Sequence, residues 1–589
     1  MSVSSATGGG RQTIDETTMN VTSIFQKTHD HAVVDHELDA DERVLVALGY
    51  KQEFKRDFSI WSCFSVSFSI LGILPSIAST LSYNLAYSGQ AGSVWGWICA
   101  SVLIQFVALS MAELCSSMPT AGGLYYAAAV LAPEGWGPLA SWVTGCLGAI
   151  SIISYALLVM DRQQGTVSMF TADIFSGRHN FIGQLTGPVS VGYALSYMIL
   201  TAAAIGNPGY VIQTWHIYLT LLLLLFVSGL ITMQATKIIG WINVVGTYTN
   251  LIALIIFVIW MPVGSVNTPK VNPNNIVWTS DGIVNGTEWP TGFAFIMGFL
   301  SVIWTMSGYD APFHLSEECS NANIAAPRAI VMTAQLGFYL GFPVILVIAY
   351  TVMNIEEVVA SDLGQPMGAL CLQVLGPRAG LAMFCINIVA QYAVELGCII
   401  AGSRVIYAYS RDGALPGSRW WKQVNPYTKT PVNALWFDLA INALLGLLMF
   451  ASPVAIGAVF SIGAIAQYVA FTIPIALRLT TAKNQFRPGP WNLGKWSKPC
   501  GYIACSWVVF IIPVLCFPAS KGADLNALNM NYTCVVYGGV MSLALLWYAV
   551  DARKWFKGPR INVEHLIHGQ EVDDVETIIH GDAEMTKKS

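Results

Sequence analysis

Apolar runs of about 20 residues, each long enough to cross a bilayer as a helix, recur along the whole chain. They lie near residues 58–87, 93–118, 136–205, 214–233, 238–260, 292–316, 327–353, 378–409, 432–451, 453–476, 499–518 and 532–551. That makes about twelve transmembrane helices if the long third region crosses once, and it predicts an all-α polytopic membrane protein. Ahead of the first run, residues 1–38 are rich in Ser, Thr, Gly and Asp, a composition that does not build a core and reads as disordered. Asp41–Leu48 then reads as a short helix, with acids in its first turn and Gly49 as its stop.

Loop charge orients these spans. With the N-terminus inside, eighteen Lys and Arg fall in inner loops, from Lys51, Lys55 and Arg56 to Arg553, Lys554, Lys557 and Arg560. Only Lys270, Arg378 and Lys521 fall outside. That bias supports twelve crossings with both termini cytoplasmic. The chain then divides into a tail at 1–57, a first set of five spans at 58–260, an extracellular loop at 261–291, a second set of five at 292–476, two more spans at 477–551, and a tail at 552–589. Asn285-Gly-Thr287 and Asn531-Tyr-Thr533 fall outside as glycan acceptors, a weak signal.

Two runs are interrupted. From Trp304 to Arg328 the sixth contains Gly308, Asp310 and Pro312, which together oppose a continuous helix. Ser69-Ile-Leu-Gly-Ile-Leu-Pro-Ser76 interrupts the first run in the same Gly-then-Pro manner. Backbone freed at membrane depth must face protein or a water-filled cavity. Paired broken helices, one in each half, point to a secondary transporter built from inverted repeats. The plain alternative is a pair of packed proline kinks.

The site chemistry follows from these breaks. Ser69, Gly72, Ile73, Leu74 and Pro75 would present backbone N–H groups to an anion at a half-helix N-terminus. Ser307, Gly308, Tyr309 and Asp310 would accept from an ammonium, with Trp304 stacked on its cationic face. Glu395, deep in span eight with Gln391 one turn earlier, is the candidate for proton coupling or amine binding, or else a neutral acid bonded to a neighbour. Glu113, near the inner end of span two, reads as a gate or cap. Asp438 reads as peripheral.

Composition narrows the class. The 589 residues are 54% hydrophobic and 11% charged, with a mean hydropathy of +0.56, too apolar for a soluble multidomain protein. The net charge of −5 is uninformative, and no basic run suggests nucleic acid. Twelve cysteines, Cys63, Cys99, Cys385 and Cys398 among them, lack metal or disulfide spacing and read as small buried hydrophobes. No short apolar leader precedes the first span, which should itself direct the chain to the membrane. Gly489-Pro-Trp-Asn-Leu-Gly-Lys495 has the spacing of a phosphate loop, but Trp496 stands where Ser or Thr is needed. No nucleophile, base and orienting group cluster as an enzyme requires.

Several segments resemble the amino acid–polyamine–organocation superfamily, and within it the fungal amino acid/choline transporter branch that includes GABA and choline permeases. They are Leu48-Gly-Tyr-Lys-Gln-Glu-Phe-Lys-Arg56, Phe68–Thr80, Met111–Tyr126, Gly308-Tyr-Asp-Ala-Pro-Phe-His-Leu-Ser-Glu-Glu-Cys319, Ser403–Pro416, Asn425–Asn433 and Gly489–Gly494. The resemblance implies a LeuT-like fold of 5+5 inverted repeats plus two helices. It implies secondary transport of a small amine or amino acid, in fungal relatives usually driven by protons, with no bound cofactor. Sodium stays open: Ser403 alone is thin evidence for an ion site, and no lysine replaces the ion in span five.

One departure from that pattern stands out. Relatives run from a motif like Trp142–Gly145 almost directly into one like Asn180–Gln184, whereas Cys146–Arg178 intervenes here. An extra crossing would invert the charge bias, so the segment reads as an insertion that adds none. We take translated intron sequence as the hypothesis, from the codons that Ala172–Ser176 allow; abundant mature transcript carrying them would count against it, and if it holds, the disrupted third helix points to a non-functional isoform. The expected function is proton-driven import of an amino acid such as GABA, in the plasma membrane or alternatively the vacuolar one. A choline or polyamine permease of the same fold and a non-transporting amino acid sensor are the alternatives. The oligomeric state is not legible.

Overall fold

The computed structural model describes residues 40–133, 135–145, 179–207, 209–415, 417–451, 453–484 and 486–526, with scattered positions from 530 to 559. The expected disordered tail and the 146–178 insertion lie outside the described residues. Among those described, regular structure is helical, and nine helices are long and apolar enough to cross a membrane.

Eleven of the expected runs coincide with helices. Span 1 comprises Ile60–Leu71 and the start of Ile73–Ser117. Gly89, at φ 67 and ψ −164, separates it from span 2 within that second helix. Span 3 is described as two helices, Gly137–Gly145 and His179–Gly206, which touch each other. Spans 4 and 5 are Thr214–Thr232 and Thr236–Val263. Span 6 is in pieces, Thr291–Met297, Phe299–Thr305 and Ala311–His314, each too short to be counted as a crossing. Spans 7 to 11 are Ala322–Thr351, the part of Pro366–Arg411 beyond the Gly376 break, Val432–Gly446, Pro453–Leu479 and Ser497–Leu515. The twelfth run is described in part: nine of its positions between 532 and 544 lie outside the described residues, and 545–551 are helical, with a π-helical turn from Tyr548.

Each break has a local chemical cause. In an unbroken helix Pro75 would donate to the Leu71 carbonyl, which it cannot do; the Ser76 hydroxyl donates to that carbonyl instead, at 2.8 Å. Gly72 turns left-handed there, at φ 38 and ψ 65, a geometry that favours glycine. Pro312 likewise cannot reach Gly308, whose carbonyl accepts from the Ser67 hydroxyl at 3.0 Å and from the Ala311 amide at 3.2 Å. Gly308 has φ 93.

Spans 1 and 6 are tied at three levels: Thr80 to Ser301 at 2.8 Å, Ser67 to Gly308 at 3.0 Å, and a backbone bridge between Phe58 and Cys319. As numbers fall along span 1 they rise along span 6, so the two run antiparallel with their breaks opposed. Spans 5, 7, 8 and 10 pack around this pair, and span 3 meets it through Val191 beside Ile70 and Trp304.

Candidate functional site

The opposed breaks border a narrow cavity. Ile70 and Ser76 of span 1 line it with Thr186, Gly187 and Val191 of span 3, Trp304, Ser307, Gly308, Asp310 and Ala311 of span 6, Val394 and Cys398 of span 8, and Gly463, Ala464 and Gln467 of span 10. Its volume is about 50 Å³, room for roughly three or four waters, so cargo enters only if the walls part.

Of the expected site residues, Trp304, Ser307, Gly308 and Asp310 line this space. Ser69 turns to span 8 and donates to the Ala393 carbonyl at 3.0 Å. A Cβ on Gly72 would overlap the Val394 side chain, and one on Gly308 would overlap Ile70, so side chains occupy the approach to both glycines. Ile73, Leu74 and Pro75 are buried but not part of the lining. Tyr309 packs its ring near Phe471, with centroids 5.6 Å apart. Gln391 donates to the Val191 carbonyl at 3.4 Å, behind the span 3 wall.

Glu395 is fully buried against Gly192 of span 3, and neither carboxylate oxygen has a hydrogen-bond partner among the described residues. Glu113 lies away from the cavity and pairs with Arg478 of span 10 at 3.0 Å. Asp438, read as peripheral, is fully buried and accepts from Asn442 at 2.9 Å, because its face of span 9 turns inward. Cys99 and Cys385 are exposed, contrary to the buried reading, since an apolar run also has a lipid face.

The polarity of the lining sets its chemistry. Asp310 is the one charged residue in it. The Ser76 and Ser307 hydroxyls have given their hydrogens to backbone carbonyls, Leu71 and Ile303, each at 2.8 Å, which leaves them lone pairs only. A carboxylate and two acceptor hydroxyls suit an ammonium; the lining side chains that carry donor groups are Thr186, Trp304, Cys398 and Gln467. The Asp310 Oδ2 also lies 3.6 Å from the Nε2 of His314 one turn on, a partner the sequence reading did not use.

Below the cavity the expected inner end is closed by buried ion pairs. Arg404 meets Glu318 through two nitrogens at 2.8 and 3.3 Å, and Arg411 meets Glu317 at 2.8 Å. Glu317 also accepts from the Ala121 amide at 2.9 Å, joining span 6 to the turn after span 2. The segment before span 1 straps over these pairs. Tyr50 lies under the Arg411 guanidinium at 3.9 Å, and Tyr407 donates to Glu53 at 2.5 Å. Burial and the Asp412 carboxylate hold the Tyr50 phenol well above its usual range. Asp41 accepts from the Asn321 and Ala322 amides at 2.6 and 3.2 Å, capping span 7. The helix carrying it runs Ala40–Ala47.

Comparison with known proteins agrees with this architecture. Residues 58–540 match the amino acid permease family model. An uncharacterized amino-acid permease of Schizosaccharomyces pombe is 45% identical over 92% of this chain and 94% of its own. A Candida albicans protein described provisionally as a polyamine transporter is 37% identical over 94% and 96%, and an amino-acid permease of Arabidopsis thaliana is 32% identical over 89% and 97%. With a match across most of its length and every interior span, the chain belongs to the amino acid permease family, whose members are multi-pass membrane transporters and not enzymes.

Proposed function

We propose that this permease is a secondary transporter that imports an amino acid such as GABA by alternating access, driven by protons, across the plasma membrane, with both termini cytoplasmic. The observation that carries the reading is the meeting of two broken helices around a cavity whose one charge is Asp310. Asp310 receives the ammonium, Ser76 and Ser307 accept further hydrogen bonds, and Trp304 faces the cation. The Ser69–Pro75 stretch contributes by shaping the break; its amides meet a carboxylate only once Val394 moves off Gly72. Glu395 carries the coupled proton: a carboxylate without hydrogen-bond donors at membrane depth is costly to keep charged. Glu113 acts as a cap on span 10. The 5+5 repeat supplies the rocking element, and the Glu317–Arg411 and Glu318–Arg404 pairs hold the inner gate shut.

A second reading, a polyamine or choline permease, is favoured by the lining itself, which has acceptors and a carboxylate but no cation to meet a substrate carboxylate. The provisional description of the Candida albicans relative points the same way. Uptake into proteoliposomes with labelled GABA, choline and spermidine, with and without a proton gradient, decides between them. GABA uptake that spermidine and choline do not compete with supports the first reading. Uptake of neither class sinks both.

A further inference from the structure

A second cavity, larger than the first at about 170 Å³, opens between spans 2, 10 and 11 and is lined by Glu113, Arg478, Lys483, Phe486, Asn492, Ser497 and Lys498 among others. Three cations face one carboxylate there, a net of two positive charges. From Arg478 to Lys498 the chain carries five Lys and Arg and no acid, so Glu113 is the acid that balances them locally.

The cleft is built rather than incidental. Arg478 forms its floor, held by the Glu113 carboxylate at 3.0 Å, by the Ser497 hydroxyl, and by the Phe486 ring 4.4 Å from its guanidinium carbon. The loop that roofs it is pinned to span 2: the Trp491 amide donates to the Ser116 hydroxyl at 3.0 Å, and Gly489 packs on Ser116 with no room for a Cβ. Ser497 begins a 19-residue helix, so the cleft also receives the positive end of the span 11 dipole. Lys483 and Lys498 stand exposed on the rim.

The surroundings identify the occupant. Beside the cleft, Trp496, Tyr502, Ile503, Val509 and Phe510 are all exposed and continue down span 11 as an apolar strip. A tryptophan and lysines above such a strip is the pattern of a membrane interface, and basic pockets between spans at the cytoplasmic side suit anionic head groups. We propose that this cleft binds the phosphoryl head group of an anionic phospholipid, with the acyl chains along span 11. The phosphate sits between Arg478, Lys483 and Lys498, and Glu113 keeps the site weak enough to exchange. Because Arg478 and Glu113 join spans 2 and 10, and span 10 lines the transport cavity through Gly463, Ala464 and Gln467, occupancy links lipid composition to the substrate site.

The test uses the full-length protein in mild detergent, with phosphatidylinositol 4-phosphate, phosphatidylserine and phosphatidylcholine offered at equal concentration and bound lipid counted by native mass spectrometry. The wild type should retain the two anionic lipids over phosphatidylcholine. Lys483→Gln with Lys498→Gln, both exposed and safe for folding, should lower that retention roughly thirty-fold, about five-fold for each lysine near an anionic surface. Lys422→Gln with Lys429→Gln, the same charge change in another loop, should leave it intact, and Glu113→Gln should raise it. Equal loss in both double variants, or no loss in the first, overturns the site. Thermal protection by inorganic phosphate matching that by lipid assigns the cleft to a soluble anion and overturns the lipid.

Discussion

The Ser67 hydroxyl donates to the Gly308 carbonyl across 3.0 Å, and Gly308 is the carbonyl that Pro312 leaves without its helical donor. One half of the fold thus supplies the hydrogen bond that a proline removes from the other, and the gap is held open where Asp310 enters the cavity. Asp310→Asn keeps the shape and removes the charge. Loss of a buried charge-assisted contact costs about 2 kcal/mol or more, so uptake kcat/KM should fall roughly thirty-fold or more. Asp310→Glu should recover part of it. If labelled substrate enters proteoliposomes at the wild-type rate with Asn at this position, the ammonium binds elsewhere.

The two glycines at the breaks are set by different constraints from Asp310. Each has positive φ, and each would drive a Cβ into a neighbour, Val394 for Gly72 and Ile70 for Gly308. Gly308→Ala should therefore destabilise by about 1–3 kcal/mol, combining backbone strain with overpacking. Thermal unfolding in detergent measures this. Adding Ile70→Ala relieves the overlap but not the φ, so it should restore only part of the loss; full restoration would mean that strain contributes nothing.

What the sequence disclosed follows the same division. The breaks were legible because Gly and Pro act on the backbone locally, and span limits because a run of apolar residues is its own signal. Which face of a span looks inward was not, since an all-round apolar helix carries no periodic mark: Glu395 falls outside the lining, against Gly192, while Cys398 three residues on reaches the cavity. Thr186 and Gln467 were missed for the same reason, as single polar residues on spans 3 and 10 with no motif around them. The partners of Glu317 and Glu318 lie 94 and 86 residues away, a separation no local pattern encodes.

Those partners make the inner closure testable. Arg411 and Glu317 are both nearly inaccessible, with side chains 5% and 1% exposed, so removing either one strands a buried charge. Arg411→Gln or Glu317→Gln alone should cost about 3–5 kcal/mol, and the double variant much less than the sum. Each single change should also weaken the inner seal. Cys398, buried on the cavity wall, then reports opening through its rate of alkylation, read by peptide mass spectrometry. Faster labelling in the single variants and an intermediate rate in the double variant are the expected results. Unchanged labelling in all three would remove these pairs from the gate.

Glu395 separates coupling from binding. It lies outside the cavity lining, so Glu395→Gln leaves the Asp310 contacts in place, and Gln nearly preserves its volume beside Gly192 and Leu221. Substrate counterflow, which needs only binding and alternating access, should persist in this variant. Uptake against a gradient, which needs a proton to ride with the cargo, should be lost, and an imposed pH gradient should no longer change the rate. The opposite pattern, lost counterflow with intact response to the proton gradient, would make Glu395 part of substrate binding. A variant that still concentrates substrate when a proton gradient is imposed would remove it from the proton path altogether. Because Asp310→Asn is expected to weaken both activities and Glu395→Gln to remove only one, assaying the two side by side distinguishes a failed site from a failed coupling mechanism.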